Sequence, residues 1–110
     1  MSGIKNRDFT FDPNSDALFQ AIMSLQSIEE CEKFFRDVLT VSELQAMTER
    51  YTVARKLFAQ TQTYRQINKE TGVSTATITR VADWLKNGMG GYRLVLERFA
   101  NNSHHHTANT

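Results

Sequence analysis

Residues 63–86 read TYRQINKETGVSTATITRVADWLK, and the rest of the chain is organised around them. Thr63 is placed to cap a short helix, with Gln66 three residues on to return the bond in a capping box. Ile67 supplies that helix's apolar face. Gly72 closes it, because glycine accepts the positive φ of a helix C-terminus at little cost. Val73 points inward and Ser74 caps a second helix, along which Ile78, Val81, Ala82 and Leu85 recur at helical spacing. A short helix, a glycine-containing turn and a second helix make the helix-turn-helix pattern.

The second helix opens unusually. Thr75, Ala76, Thr77 and Thr79 are small and uncharged, and β-branched threonine is a mediocre helix former. Such residues suit an end that approaches a surface closely, since threonine can bond a base edge or a phosphate and touch a thymine methyl. Arg65, Asn68 and Lys69 on the preceding helix are placed for phosphate or an outer base, and Arg80 adds charge beside the threonines. These eight residues are the candidate contacts to double-stranded DNA. The competing reading is two ordinary packed helices with their threonines in solvent.

Net charge is only +1, but its distribution is uneven. Residues 1–39 hold four Lys/Arg against seven Asp/Glu, whereas residues 50–86 hold seven against two, Glu70 and Asp83. The basic surplus therefore falls on the helix-turn-helix and the helix before it. At 110 residues, two-fifths hydrophobic, with one proline and five glycines, the chain reads as one all-α domain of about six helices. No apolar run approaches a membrane span and no leader pattern is visible, so the expectation is a cytoplasmic protein without a membrane partner. The lone Cys31 has no internal disulfide partner and reads as a small core residue in a reducing compartment. His104, His105 and His106 are adjacent, not spaced as ligands of a structural metal site, so no metal or other cofactor is expected. Without a phosphate loop, an H-E-x-x-H pair or a nucleophile beside a base, no catalytic residue is assigned and no enzyme is expected.

Around the central stretch the pattern predicts an N-terminal arm over 1–14, a helical domain over 15–100 and a disordered tail over 101–110. Phe9 and Phe11 in the arm either pack on another chain or stay loose. Pro13 and Asn14 read as a stop, followed by a helix over 15–25 with Leu18, Phe19, Ile22 and Leu25 inward. Ser27 and Glu30 predict a capping box for a helix lined by Ile28, Cys31, Phe34, Phe35 and Val38. Thr40 and Glu43 predict another, opening a long helix over 41–59. That helix carries Leu44, Met47, Tyr51, Ala54 and Phe58 as a seam, widened by Val53 and Leu57. So broad a stripe in so short a chain predicts cover from a second copy, a homodimer, with a monomeric core helix as the alternative. Asn87 to Gly91 reads as a flexible stop before a last short helix over 92–99, with Tyr92, Val95, Leu96 and Phe99 inward.

The run Gly72-Val-Ser-Thr-Ala-Thr-Ile-Thr-Arg80, with Leu39, Thr40, Glu43, Ala46, Arg50 and Leu57 at matching spacings upstream, resembles the tryptophan repressor superfamily. It looks most like the YerC/YecD-type branch. The resemblance covers roughly residues 39–87 and is specific over 72–80. It implies an intertwined homodimer that binds a palindromic operator and regulates transcription in bacteria, as a repressor. It also implies a small-molecule pocket, in which Arg50 and Arg80 match the arginines that flank the ligand and Thr40 matches a nearby threonine. There the chain departs from the family. Val81 stands in place of a glycine and Trp84 in place of a serine whose hydroxyl serves the ligand's polar end. The expectation is that the Trp84 indole packs near or into the vacated space, so that tryptophan is not the corepressor; a Trp84 packing on the helix exterior or the dimer interface is the other reading. A tryptophan- or other ligand-dependent repressor, or a polymerase-associated helical interaction module, are the alternatives. A single-stranded RNA reader lacks the aromatic-laced basic platform it needs.

Overall fold

A computed structural model of the protein describes the backbone of residues 9–108 and the side chains of residues 9–102. Six helices and no strand form among these residues: α1 (Pro13–Met23), α2 (Ile28–Val38), α3 (Val41–Ala59), α4 (Tyr64–Thr71), α5 (Thr75–Asn87) and α6 (Gly91–Ala108). No described helix is long and apolar enough to cross a membrane. The chain divides into two compact units at Thr48/Glu49, so that α3 begins in one and ends in the other.

Local side-chain chemistry sets most of the boundaries. Thr40 and Glu43 close a full capping box at α3, with the Thr40 N–H donating to the Glu43 carboxylate at 2.9 Å and the Glu43 N–H donating to the Thr40 hydroxyl at 3.1 Å. Hydrogen bonding to the Thr40 backbone N–H, and then to the Thr40 side chain, holds the Glu43 carboxyl below its usual range. Ser27 caps α2 by accepting from the Glu30 N–H, but the Glu30 side chain accepts instead from Gln26, one residue ahead of the position the capping box predicts. The start of α1 also differs from expectation. Pro13 does not stop the chain; it is the first helical residue, where its missing N–H costs nothing. Asp12 is the cap, in a reciprocal pair with Ser15.

The far end differs too. The last helix runs through Phe99 to Ala108, into the span expected to be a disordered tail. No glycine or proline interrupts the sequence after Gly91, and Arg93 and Glu97 pair at i,i+4 across 3.7 Å. The side chains of His104–His106 and the first eight residues of the expected N-terminal arm lie outside the described residues.

The unit from Glu49 onward contains the core. Val53 and Ala54 of α3, Ile67 of α4, Val73 of the turn, Ile78 and Val81 of α5 and Leu96 of α6 are buried, with Tyr51, Leu57, Phe58, Leu85 and Tyr92 packed around them. Full burial of a side chain such as Ile67 or Ile78 contributes about 1.5–3 kcal/mol. Val95 and Phe99, expected inward on α6, are exposed; Leu96 takes the inward position.

The unit before it is built differently. Among its described residues the sole buried one is Ser15, held in the Asp12 capping box. Leu18 and Phe19 of α1, Ile28 and Val38 of α2 and Met47 of α3, all expected inward, are exposed, whereas Ile22, Leu25, Cys31, Phe34 and Phe35 are half-buried. Phe9 and Phe11 are not loose. Their rings meet edge to face at 4.9 Å, and Phe11 lies 6.1 Å from Phe19 of the same chain.

Candidate nucleic-acid interface and its adjoining cavities

The α4–turn–α5 segment is fastened by its own side chains. Thr63 and Gln66 make the expected box at the start of α4, with bonds of 2.7 and 3.1 Å. Gly72 closes α4 at φ +77°, donating its N–H to the Asn68 carbonyl at 2.8 Å. The Thr71 hydroxyl donates to the Ile67 carbonyl and accepts from the Val73 N–H. Ser74 then caps α5, accepting from the Thr77 N–H and donating its hydroxyl to that of Thr77 at 3.1 Å.

On α5, Ile78 and Val81 face the core while Thr75, Ala76, Thr79 and Arg80 face solvent. Arg65 and Lys69 are exposed on α4. Thr77 is half-buried, set back from the exposed threonines. Asn68 is not a free donor: its side-chain amide is half-buried and donates to the Val73 carbonyl at 2.7 Å, tying α4 to the turn. Of the seven cations in residues 50–86, Lys56 is spent internally. Its ammonium lies 3.0 Å from the Glu70 carboxylate, which also accepts from Gln62 at 2.7 Å. The Gln62 bond, with Lys56, keeps the Glu70 carboxyl below its usual range. Among the described residues no ion pair engages Arg50, Arg55, Arg65, Lys69, Arg80 or Lys86. The result is a small, uncharged helix start flanked by cations that have no ion-pair partner among the described residues.

Beside α5 lies a cavity of about 540 Å³ lined by Arg50, Thr77, Arg80, Val81, Trp84 and Tyr92. Four of the five residues implied by resemblance as an effector pocket are thus together; Thr40 belongs to the other unit, where it caps α3. Thr77 and Tyr92 are additions. Helical periodicity places Tyr92 inward but cannot say that it meets Arg50 and Arg80, which come from two other helices. Trp84 does not fill this space; it forms a wall of it and remains 37% exposed. Gly88 explains that position. A Cβ there would fall 2.5 Å from the Trp84 carbonyl oxygen and 2.6 Å from Cε3 of its ring, so only glycine lets the indole lie against the end of α5. Burial raises the Tyr92 phenol above its usual pKa, with the Arg50 charge acting the other way. A second cavity of about 390 Å³ shares Trp84 and Tyr92 as walls and is completed by Tyr51, Met89, Gly91 and Val95.

The Trp repressor protein family model matches residues 14–100. The uncharacterized protein YerC of Bacillus subtilis is 46% identical over 83 residues, covering 76% of this chain and 79% of YerC. The crystal structure of a TrpR-like protein from Eubacterium eligens superposes with a TM-score of 0.77 at 42% identity, covering 81% of this chain and 91% of that one. A proposed Trp repressor from Staphylococcus aureus gives 0.76 at 41%, covering 82% and 89%.

Proposed function

This chain belongs to the Trp repressor family, a family of helical DNA-binding regulators, and on that premise we propose that it is a sequence-specific transcriptional repressor of the bacterial cytoplasm. It is not an enzyme. It binds a palindromic operator as a homodimer, each copy presenting α5 to a major groove, with the two helices about 34–36 Å apart. The observation that carries this reading is the exposed, uncharged start of α5, Thr75, Ala76 and Thr79, beside the unpaired Arg65, Lys69 and Arg80. The threonines read the groove. The cations hold phosphate. With few long donors for base edges, water-mediated and shape-based recognition carries much of the specificity. The homodimer is supported by the exposed apolar residues of the first unit, Phe19, Met23, Ile28 and Val41 among them, which a second copy is suited to cover.

Tryptophan is not the corepressor in this reading. The ground is that Val81 and Trp84, both walls of the cavity beside α5, stand where the family resemblance places a glycine and a ligand-binding serine.

The deciding experiment is selection from a random DNA library at two salt concentrations, with and without tryptophan. The expected result is a palindromic motif enriched without ligand. Enrichment only with tryptophan overturns the corepressor reading, and no enrichment in any condition overturns the operator reading. On the selected site, Thr79→Ala is expected to change base preference by about 1–3 kcal/mol at one position. Lys69→Ala is expected to weaken all sequences alike and to reduce the salt slope by about one.

A further inference from the structure

We infer that Asn87 and Gly88, at the end of α5, form a modification site that reacts with water alone: Asn87 loses ammonia through a cyclic imide, at a rate gated by opening of the helix's last turn, and the product unseats Trp84. Packing requires the glycine. A Cβ at position 88 would fall 2.5 Å from the Trp84 carbonyl oxygen and 2.6 Å from Cε3 of its ring, so the seat of the indole admits no larger residue. The residue before it is Asn87, and this is the one asparagine-glycine pair in the sequence. Asparagine is a thermolabile residue, and a following glycine leaves its side chain the least obstructed path to the backbone.

In the reaction the Gly88 backbone nitrogen gives up its proton to solvent and attacks Cγ of Asn87. The new C–N bond displaces the side-chain nitrogen, which leaves as ammonia. Water then opens the imide. Cleavage between Cγ and nitrogen gives aspartate, and cleavage between the Asn87 carbonyl carbon and nitrogen gives isoaspartate. Water is consumed and ammonia released, with no oxidant or reductant.

The folded helix restrains both partners. Asn87 is the last residue of α5 and Gly88 its cap. The Gly88 N–H donates to the Trp84 carbonyl at 2.9 Å, and the Asn87 side-chain amide donates to the Asp83 carboxylate at 2.8 Å. The first bond must break and the side chain must turn from Asp83 before nitrogen reaches Cγ. A helix end is where such opening is easiest, and Asn87 is exposed to the water that completes the reaction. The product then loosens what held it. A carboxylate in place of the amide turns a donor to Asp83 into a like charge beside it, at the end of α5 where the helix dipole disfavours negative charge. Isoaspartate also adds a methylene to the backbone directly ahead of Gly88, the residue against which the indole lies. None of this depends on the function proposed above.

The test incubates the full chain at mildly alkaline pH, in buffer and in urea, and follows each asparagine by peptide mass spectrometry. In urea Asn87 is expected to convert ahead of the other asparagines, none of which precedes glycine. In buffer it is expected to convert about tenfold or more slowly than in urea. Trp84 is the only tryptophan, so its emission reports the seat. Asn87→Asp, the product made directly, is expected to shift that emission to the red, and Asp83→Asn in the same chain to reverse the shift. Asn87→Gln keeps an amide whose ring closure is far slower, and is expected to abolish conversion while leaving emission unchanged. Circular dichroism confirms that each variant is helical. Conversion of Asn87 no faster than that of the other asparagines in urea, equal rates in buffer and urea, unchanged emission in Asn87→Asp, or a shift that Asp83→Asn does not reverse overturns the proposal.

Discussion

The two units of this chain use the same kind of residue to opposite effect. From Glu49 onward, helices α4, α5 and α6 and the end of α3 bury seven apolar residues completely or nearly so. Before it, α1 and α2 carry side chains of equal hydrophobicity and bury none of them, leaving Met23 at 82% and Ile28 at 80% exposed. Capping is equally good in both regions, so the difference is not one of helix quality. The α4–turn–α5 segment packs on a core within one chain, and the first unit has no comparable core among its described residues. A single chain of this size has little apolar surface to share between two cores.

The largest expected effect tests that contrast directly. Ile67→Ala opens a cavity at a fully buried position and is expected to cost about 2–5 kcal/mol in chemical denaturation. Ile28→Ala is expected to cost within about 0.5 kcal/mol if the residue is as exposed in solution. A larger loss that grows on dilution shows instead that a second chain covers it. The next effect is smaller. Gly88→Ala drives a Cβ into the Trp84 carbonyl and ring, with an expected cost of about 1–3 kcal/mol and a shift in Trp84 emission; unchanged emission would mean that Gly88 does not place the indole. The smallest is the acid limb of stability. Glu43 in one unit and Glu70 in the other both have folded pKa values below the ordinary 4.5. Their contribution is therefore complete above that value and lost as pH falls through the folded pKa. Glu70→Gln is expected to flatten the acid limb measured by denaturation between pH 5 and the acid transition, whereas Glu43→Gln flattens it separately and leaves the α4 end untouched.

What was legible in the sequence was what a few neighbouring residues decide. Thr40 with Glu43, Thr63 with Gln66, Ser74 and Gly72 each fix a boundary by a bond three or four residues away. The run Gly72–Arg80, by its resemblance to a known family, made the all-α fold of about six helices legible as well. The structure departs from the sequence pattern for two reasons. Residue type alone marks Pro13 and residues 101–108 as non-helical, whereas proline suits the first position of a helix and polar residues continue one that nothing breaks. Periodicity alone turns Leu18, Phe19, Ile28 and Val38 inward, and it identifies an apolar face without saying whether anything covers it. The cavities were illegible for a third reason. Arg50, Arg80 and Tyr92 come from three helices, and no local pattern records that they meet. Asn68 illustrates the same limit at close range, since nothing local in the sequence records that its amide donates to the Val73 carbonyl.

The turn between α4 and α5 has a consequence for the thermodynamics of recognition. Its Gly72 and Val73 amides already have acceptors, and the side chains of Asn68 and Thr71 already span it. A segment fastened in this way has little conformational entropy left to surrender in the operator binding proposed above. Calorimetry of that encounter should therefore show the modest negative heat-capacity change of two preformed surfaces joining, without the much larger change that accompanies a segment folding as it binds.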